Sequence, residues 1–292
     1  MRVFVTGATG FIGAPVCKEL IAAGHKVLGM ARSDTGANLL ASLGVEVHRG
    51  ELTDLESLKS GAAAADAVIH TAFIHDFAKF QENCDIDRQA IDTMAAVLAG
   101  SRHPLIVTSG TGVLAPGRPS TEEDVPPANS PMPRRSEQTA MAWLDKDVSA
   151  AVMRLPQVHD PLKQGLVTYA IAVAREKGFS AYIGEGANRW PAAHVSDVAK
   201  LYRLALEKHE AGARWHAVAE EGVSMREIAE SLGRGLKLPV KSLKPEEAQA
   251  HFGWLAMFAA HDLPASSAIT RRKLGWNPVG PTMLEDLDRA EY

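Results

Sequence analysis

The chain opens on "RVFVTGATGFIG", and the last eight residues of that run constrain its fold more than any other stretch. A short β-rich segment ends in glycine, and Gly7, Gly10 and Gly13 follow at three-residue spacing where a helical pattern starts. Strand, tight turn and helix N-terminus in that order make an anion cradle. The first glycine allows the sharp turn, the second lets backbone approach a pyrophosphate, and the third lets helix pack on strand. Gly7, Thr9, Gly10, Phe11, Ile12 and Gly13 are therefore the expected contacts of a dinucleotide's phosphates. A plain tight turn between strand and helix uses the same glycines, but the strand-turn-helix context favours nucleotide binding.

The pattern continues accordingly. Ile12, Val16 and Leu20 recur at helical spacing, with Gly24 as the stop and Pro15 in the first turn, where its missing N–H removes nothing. "KVLGMA", "VEVHRG", "DAVIHTA" and "PLIVTSG" are strand-like, and helical segments separate them, the longest from about Gln81 to Ala99. Such alternation predicts an α/β fold, a Rossmann-type doubly wound parallel sheet. "TEEDVPPANSPMP" reads as a loop, followed by a helix and the strand "SAAVMRLP". Beyond His159 the pattern loosens into mostly helical pieces, which predicts a smaller, mainly helical C-terminal substrate domain. The expected division is 1–158, with 192–210 returning to it, against 159–191 and 211–292. Capping-box spacing occurs at Thr53/Glu56, Ser224/Glu227 and Thr282/Glu285.

Composition narrows the partners. A net charge of −4 over 292 residues gives no electrostatic reason to expect nucleic acid or a membrane surface. Cys17 and Cys84 are too few for a disulfide scaffold or a Cys-rich metal site, and the eleven histidines show no spacing such as H-E-x-x-H, so no metal is expected. The N-terminus runs straight into a strand with no basic leader, and no apolar run approaches membrane-spanning length, so a cytoplasmic location is expected.

"TGATGFIG" resembles the signature of the extended short-chain dehydrogenases/reductases, the NAD-dependent epimerase/dehydratase superfamily. "VIHTAF", "VTSG", "RLPQVHDP" and "PAAHVSDVA" resemble further family segments, so the likeness spans about two-thirds of the chain. NAD-dependent enzymes place Asp or Glu at the end of the second strand, to hold both ribose hydroxyls. This chain has Arg32 and Ser33 there, which suit a 2′-phosphate, so NADP(H) is expected and NAD is the second choice. Asp34 follows closely, and a slipped register puts it on the ribose instead. The resemblance further implies that Glu51 and Leu52 meet the adenine, and that Thr71, Ala72 and Phe73 lie along the ribose and pyrophosphate. It places Pro156 and Val158 at the nicotinamide and makes a homodimer reasonable.

The same resemblance calls for a Tyr acid/base with a Lys four residues later, and for a Ser or Thr near the end of the fifth strand. A carbonyl that receives hydride also needs a proton from a donor within hydrogen-bond reach. In "PMPRRSEQTAMAW", aligned on the serine, Pro133 occupies the tyrosine position and Glu137 the lysine position. Aligning "TSGTGVL" on Val113 puts Gly110 at the hydroxyl position, with Ser109 and Thr111 flanking it as candidate catalytic hydroxyls. Arg134 or Arg135 offers cationic character, although an exposed helix start is the plainer home for both. Tyr169 and Tyr182 are the tyrosines that could face a cleft, whereas Tyr202 and Tyr292 read as structural. His159 is placed near the nicotinamide end, with a hydrogen-bonded loop role as the plainer reading, and His194 and Asp197 look like the family's structural pair. Four of the five tryptophans fall in the second half, where "HFGWLAMF" and "LPASSAITRRKLGW" could wall an apolar substrate pocket, with core packing and helix-helix contacts as the plainer reading.

Two functions remain in play. One is an atypical NADP(H)-dependent oxidoreductase acting on a small, largely apolar carbonyl or alcohol, its proton coming from a non-standard donor or water. The other is a catalytically silent NAD(P)-binding redox-sensing or regulatory protein. A nucleotide-sugar epimerase fits less well, because it depends on the same tyrosine.

Overall fold

The computed structural model describes residues 1–112, 115–127 and 132–292. Val113, the residue used to align the hydroxyl position, lies outside the described residues, as do the last residues of the proline-rich loop before Met132. The chain divides into two compact units. The first comprises Met1–Gly110, Pro126–Arg154 and Val198–Trp215; the second comprises Thr111–Val125, Leu155–Asp197 and His216–Tyr292.

The elements are, in order, β1 (Arg2–Thr6), α1 (Gly13–Ala22), β2 (Lys26–Ala31), α2 (Asp34–Ser42), β3 (Glu46–Arg49), α3 (Leu55–Ala63) and β4 (Ala67–His70). There follow α4 (Phe80–Leu98), β5 (Pro104–Gly110), α5 (Ser136–Met141), β6 (Ser149–Leu155), β7 (Gln157–His159), α6 (Val167–Lys177), β8 (Ser180–Ile183) and β9 (Arg189–His194). The chain continues with α7 (Val195–Glu207), β10 (Arg214–His216), β11 (Glu220–Ser224), α8 (Met225–Leu236) and β12 (Val240–Leu243). It finishes with α9 (Ala248–Phe252), α10 (Ala256–Ala259), α11 (Ala268–Leu274) and α12 (Met283–Arg289).

The first unit is built on a seven-stranded sheet of order β10-β6-β5-β4-β1-β2-β3. β1 pairs in parallel with β2 and β4, β2 with β3, and β4 with β5, as crossover helices between consecutive strands require. The order reverses at β1, whose neighbours lead to opposite edges of the sheet, so the carboxyl ends of β1 and β4 flank a topological switch point. Phe4, Val68, Leu105, Val107 and Val152 pack with Leu58, Ile91 and Met94 into one apolar core. Near-continuous apolar strands of this kind belong to sheets covered on both faces.

The second unit is mainly helical, with two small sheets that the sequence pattern did not signal: β11-β9-β7 and β12-β8. These strands are three to six residues long, and Pro191 interrupts the longest, so no two-residue period has room to show. Residues 111–125 join this unit although the expected boundary lay at 158. The Ser120 N–H donates to Pro264 O at 2.9 Å and the Thr111 N–H to Leu155 O at 3.1 Å. The Ser224/Glu227 and Thr282/Glu285 capping boxes form. At Thr53/Glu56 the cap shifts by one residue: Asp54 accepts from the Ser57 N–H and Thr53 turns to Glu51. Among the described residues, no helix is long and apolar enough to cross a membrane.

Candidate functional site

The glycine turn after β1 is closed by steric need. Gly7 has φ +67°, and a Cβ there would stand 2.8 Å from the Ala72 N at the end of β4. A Cβ on Gly13 would overlap the Gly7 carbonyl, so α1 can start this close to the turn only without a side chain. The Gly10 N–H donates to Gly7 O at 2.8 Å and pulls the loop tight. The turn therefore presents backbone and the N-terminal end of α1 at the switch point, the arrangement that accepts anions.

At the end of β2, Arg32 is exposed and makes no hydrogen bond or ion pair among the described residues. Ser33 caps α2, its Oγ accepting from the Gly36 N–H at 3.2 Å, which leaves its own O–H able to donate. Asp34 opens α2 and is ion-paired with Arg49. Glu51 is exposed and accepts from the Thr53 hydroxyl at 3.1 Å, whereas the Leu52 side chain is buried in the core. Thr71 donates to Thr6 O at 2.7 Å, Ala72 sits against the glycine turn, and Phe73 is half-buried beside them.

A continuous polar chain runs beneath these strand ends. Thr6 Oγ1 meets His70 Nδ1 at 2.7 Å, and His70 Nε2 meets Asp87 Oδ1 at 3.2 Å. Ser136 donates to Asp87 Oδ2 at 2.5 Å, and its oxygen accepts from Arg134 Nε at 2.9 Å. Arg134 Nη2 donates to Thr108 O at 3.1 Å, while the guanidinium lies over the Phe73 ring, 4.3 Å from its centroid. The Thr108 hydroxyl donates to His70 O at 2.6 Å, so the Tyr202 hydroxyl, also 2.6 Å away, donates to Thr108. Burial alone would raise the Asp87 pKa, but His70, Arg134 and Ser136 outweigh it and hold this carboxyl below its usual range. Burial also pushes the Tyr202 phenol well above its usual range; with its proton committed, it is no acid/base.

Arg134 is thus not at an exposed helix start. It is half-buried and fixed by a ring, a carbonyl and a hydroxyl. Of these only Ser136 is local; the Phe73 ring and the Thr108 carbonyl come from the ends of β4 and β5 and are brought to it only by the sheet.

Glu137, at the position where the resemblance calls for lysine, turns inward and is buried. Arg154 on β6 grips it through Nε at 2.7 Å and Nη2 at 2.6 Å, and Arg214 on β10 adds Nε at 2.6 Å. Pro133 is half-buried just before α5. Of the two hydroxyl candidates, Ser109 is half-buried at the end of β5, whereas Thr111 is buried in the second unit.

Within the second unit, Pro156 is half-buried and Val158 is buried in β7. His159 lies on a strand, not in a loop, and has no exposed surface. Its Nδ1 meets Asp286 at 2.7 Å, Glu220 lies 3.8 Å from its Nε2, and the His194 ring packs edge-on at 5.8 Å. Asp197 accepts from the Val279 and Gly280 N–H groups at 3.0 and 2.6 Å. Trp190, Trp215 and Trp276 are core residues, and the Trp143 indole donates to Asp92. Trp254 is 37% exposed and packs edge-on against Tyr169 and Phe258. Tyr182 lies under Arg226, and Tyr292 donates to Leu287 O.

A model of the NAD dependent epimerase/dehydratase family matches residues 3–218. The chain is 46% identical over 296 residues to an uncharacterized protein of Schizosaccharomyces pombe, covering 100% of both. It is 25% identical over 287 residues to a 4-hydroxy-2-methyl-3-oxo-4-farnesyl-3,4-dihydroquinoline-1-oxide ketoreductase of Stigmatella aurantiaca, covering 91% of this chain and 84% of that enzyme. The crystal structure of a dTDP-glucose 4,6-dehydratase from Streptomyces venezuelae with NAD bound is similar in fold, with TM-score 0.78 and 20% identity over 100% of this chain and 96% of that one.

Proposed function

The chain belongs to the NAD-dependent epimerase/dehydratase family, and from that premise we propose that it is an NADP(H)-dependent oxidoreductase acting on a largely apolar carbonyl or alcohol. The observation that carries the reading is the glycine turn, whose space a side chain at Gly7 or Gly13 would fill. Gly7, Thr9, Gly10, Phe11, Ile12 and Gly13 would hold the diphosphate, and Glu51 and Leu52 the adenine. Thr71, Ala72 and Phe73 would follow the ribose and diphosphate, with Pro156 and Val158 at the nicotinamide.

Arg32 supports NADP(H): it is an exposed guanidinium beside the Ser33 hydroxyl, and the nearby carboxylate of Asp34 is already engaged by Arg49. The Stigmatella relative, by name a ketoreductase of a farnesyl-bearing ring, supports an apolar carbonyl, as does the Trp254–Tyr169–Phe258 group. When bound, the dinucleotide supplies or takes up the hydride. Ser109 would donate a hydrogen bond to the substrate oxygen, with Thr111 the buried alternative. Because Pro133 has no proton to give, the proton would come from water.

Fluorescence titration tests the cofactor reading. NADPH should bind at least about tenfold tighter than NADH, and Arg32→Met should abolish that difference, since a hydrogen bond to a charged group is worth about 1.5–3 kcal/mol. Equal affinities in the wild type would remove the NADP preference, and no binding of either would remove the reading. Oxidation of NADPH with an apolar carbonyl panel tests turnover. The Glu137–Arg154–Arg214 group favours a second reading, a silent NAD(P)-binding sensor, because it commits the lysine position to structure. Tight NADPH binding without oxidation across the panel would select it.

A further inference from the structure

Arg134 is a cation whose surroundings leave its charge partly uncompensated. Both of its hydrogen bonds end on neutral oxygens, Thr108 O and Ser136 Oγ. The Asp87 carboxylate stands one hydroxyl away, on the far side of Ser136. Nη1 makes no hydrogen bond among the described residues. A guanidinium cannot shed its proton to relieve such a position. It is also pre-organised: the Phe73 face supports one side, and the Thr6–His70–Asp87–Ser136 chain fixes the Nε edge.

Its place along the sheet identifies what it faces. The glycine turn abuts Thr71 and Ala72, Phe73 follows directly, and Arg134 lies on Phe73 and reaches the end of β5. The order across the strand ends is therefore turn, Ala72, Phe73, Arg134. A dinucleotide with its diphosphate on the turn would bring its next oxygens, those of the nicotinamide-side ribose-phosphate, to Arg134.

We propose that Arg134 binds the nicotinamide-side ribose-phosphate of the dinucleotide, supplying from the loop before α5 the cationic hold that Glu137 cannot supply from α5. This rests on the oxidoreductase reading above, and the test separates the two. Wild type, Arg134→Met and Arg134→Gln are titrated with NADPH, NADH and 2′,5′-ADP, the last carrying the adenosine end without the nicotinamide ribose. Both variants should lose about ten- to a hundredfold in affinity for NADPH and NADH alike, the loss expected for one hydrogen bond to a charged group. 2′,5′-ADP should bind them as it binds wild type. Arg32→Met should behave oppositely, losing 2′,5′-ADP and NADPH but not NADH.

Unchanged NADPH and NADH affinities in the Arg134 variants would overturn the inference and leave the cofactor reading standing. An equal loss of 2′,5′-ADP would overturn it too, by placing the effect at the adenosine end or throughout the unit. If wild type binds neither dinucleotide, the cofactor reading fails first and this inference with it. Arg134→Gln keeps a donor for Thr108 O, so it gives the same readout should Arg134→Met not fold.

Discussion

Substituting Glu137 by Gln would remove the carboxylate that grips the Arg154 guanidinium, which has no solvent exposure. Breaking a buried ion pair from one side costs about 3–5 kcal/mol, because the remaining charge stays desolvated. Urea denaturation should therefore show a large drop in the unfolding midpoint for Glu137→Gln. The double substitution Pro133→Tyr/Glu137→Lys, which writes the expected dyad into the sequence, should destabilise further by setting an ammonium against two guanidinium groups. A double variant as stable as wild type would show that the group is not what holds this corner of the sheet. The residue scale also shows where sequence reading stops. The glycine turn was legible because Gly10 and Gly13 answer to Gly7 within a few residues, even though Ala72 also closes on it. The partners of Glu137 lie 17 and 77 positions away, and the ring and carbonyl that hold Arg134 come from other strand ends, so neither environment is fully written locally.

The second unit is knit at the element scale by His159 on β7, His194 on β9, Glu220 on β11 and Asp286 on α12. Burial holds the His159 pKa below the usual histidine value, against the pull of Asp286. In the unfolded chain His159 takes up its proton near pH 6.5; in the fold it does so only at lower pH. The unfolded state thus binds more protons in that window, and stability falls as pH drops below about 6.5. Glu220 faces the same ring, and burial raises its pKa, which tilts stability the other way from about pH 4.5 upward. Thermal melts between pH 7.5 and 5.5 should show a decline in wild type that is reduced in His159→Gln; identical slopes would remove His159 as its source. Element boundaries were legible where patterns were long: a helix expected over Gln81–Ala99 runs Phe80–Leu98. The strands of the small sheets were not, because three to six residues cannot display a period, and the Thr53 cap missed by one because Asp54 is an equally good acceptor.

At the scale of the whole molecule, the α/β alternation carried the fold, since repeated strand-helix units leave few arrangements other than a parallel sheet. The partition was less legible. Residues 111–125 are tied to the second unit by backbone hydrogen bonds whose partners, Leu155 and Pro264, lie far along the chain. The chain passes between units five times, so neither unit is one continuous piece. A fragment ending at Arg154 should therefore fail to fold: it lacks β10, the edge neighbour of β6, and the Tyr202 hydroxyl on α7 that anchors Thr108. Circular dichroism and limited proteolysis of residues 1–154 would check this, and a cooperative, protease-resistant fragment would contradict it.

The edge position of β10 also sets a schedule for biosynthesis. The sheet acquires its seventh strand only when Arg214–His216 leave the ribosome, well after its other six strands are made. At about 5–20 residues per second, the nascent β6 edge waits unpaired for on the order of three to twelve seconds after its own synthesis. Over that interval Glu137 has Arg154 as a partner but not yet Arg214, so the ion group is completed as the sheet closes. A chaperone that shields strand edges would find its longest opportunity on this protein there, before Arg214 arrives.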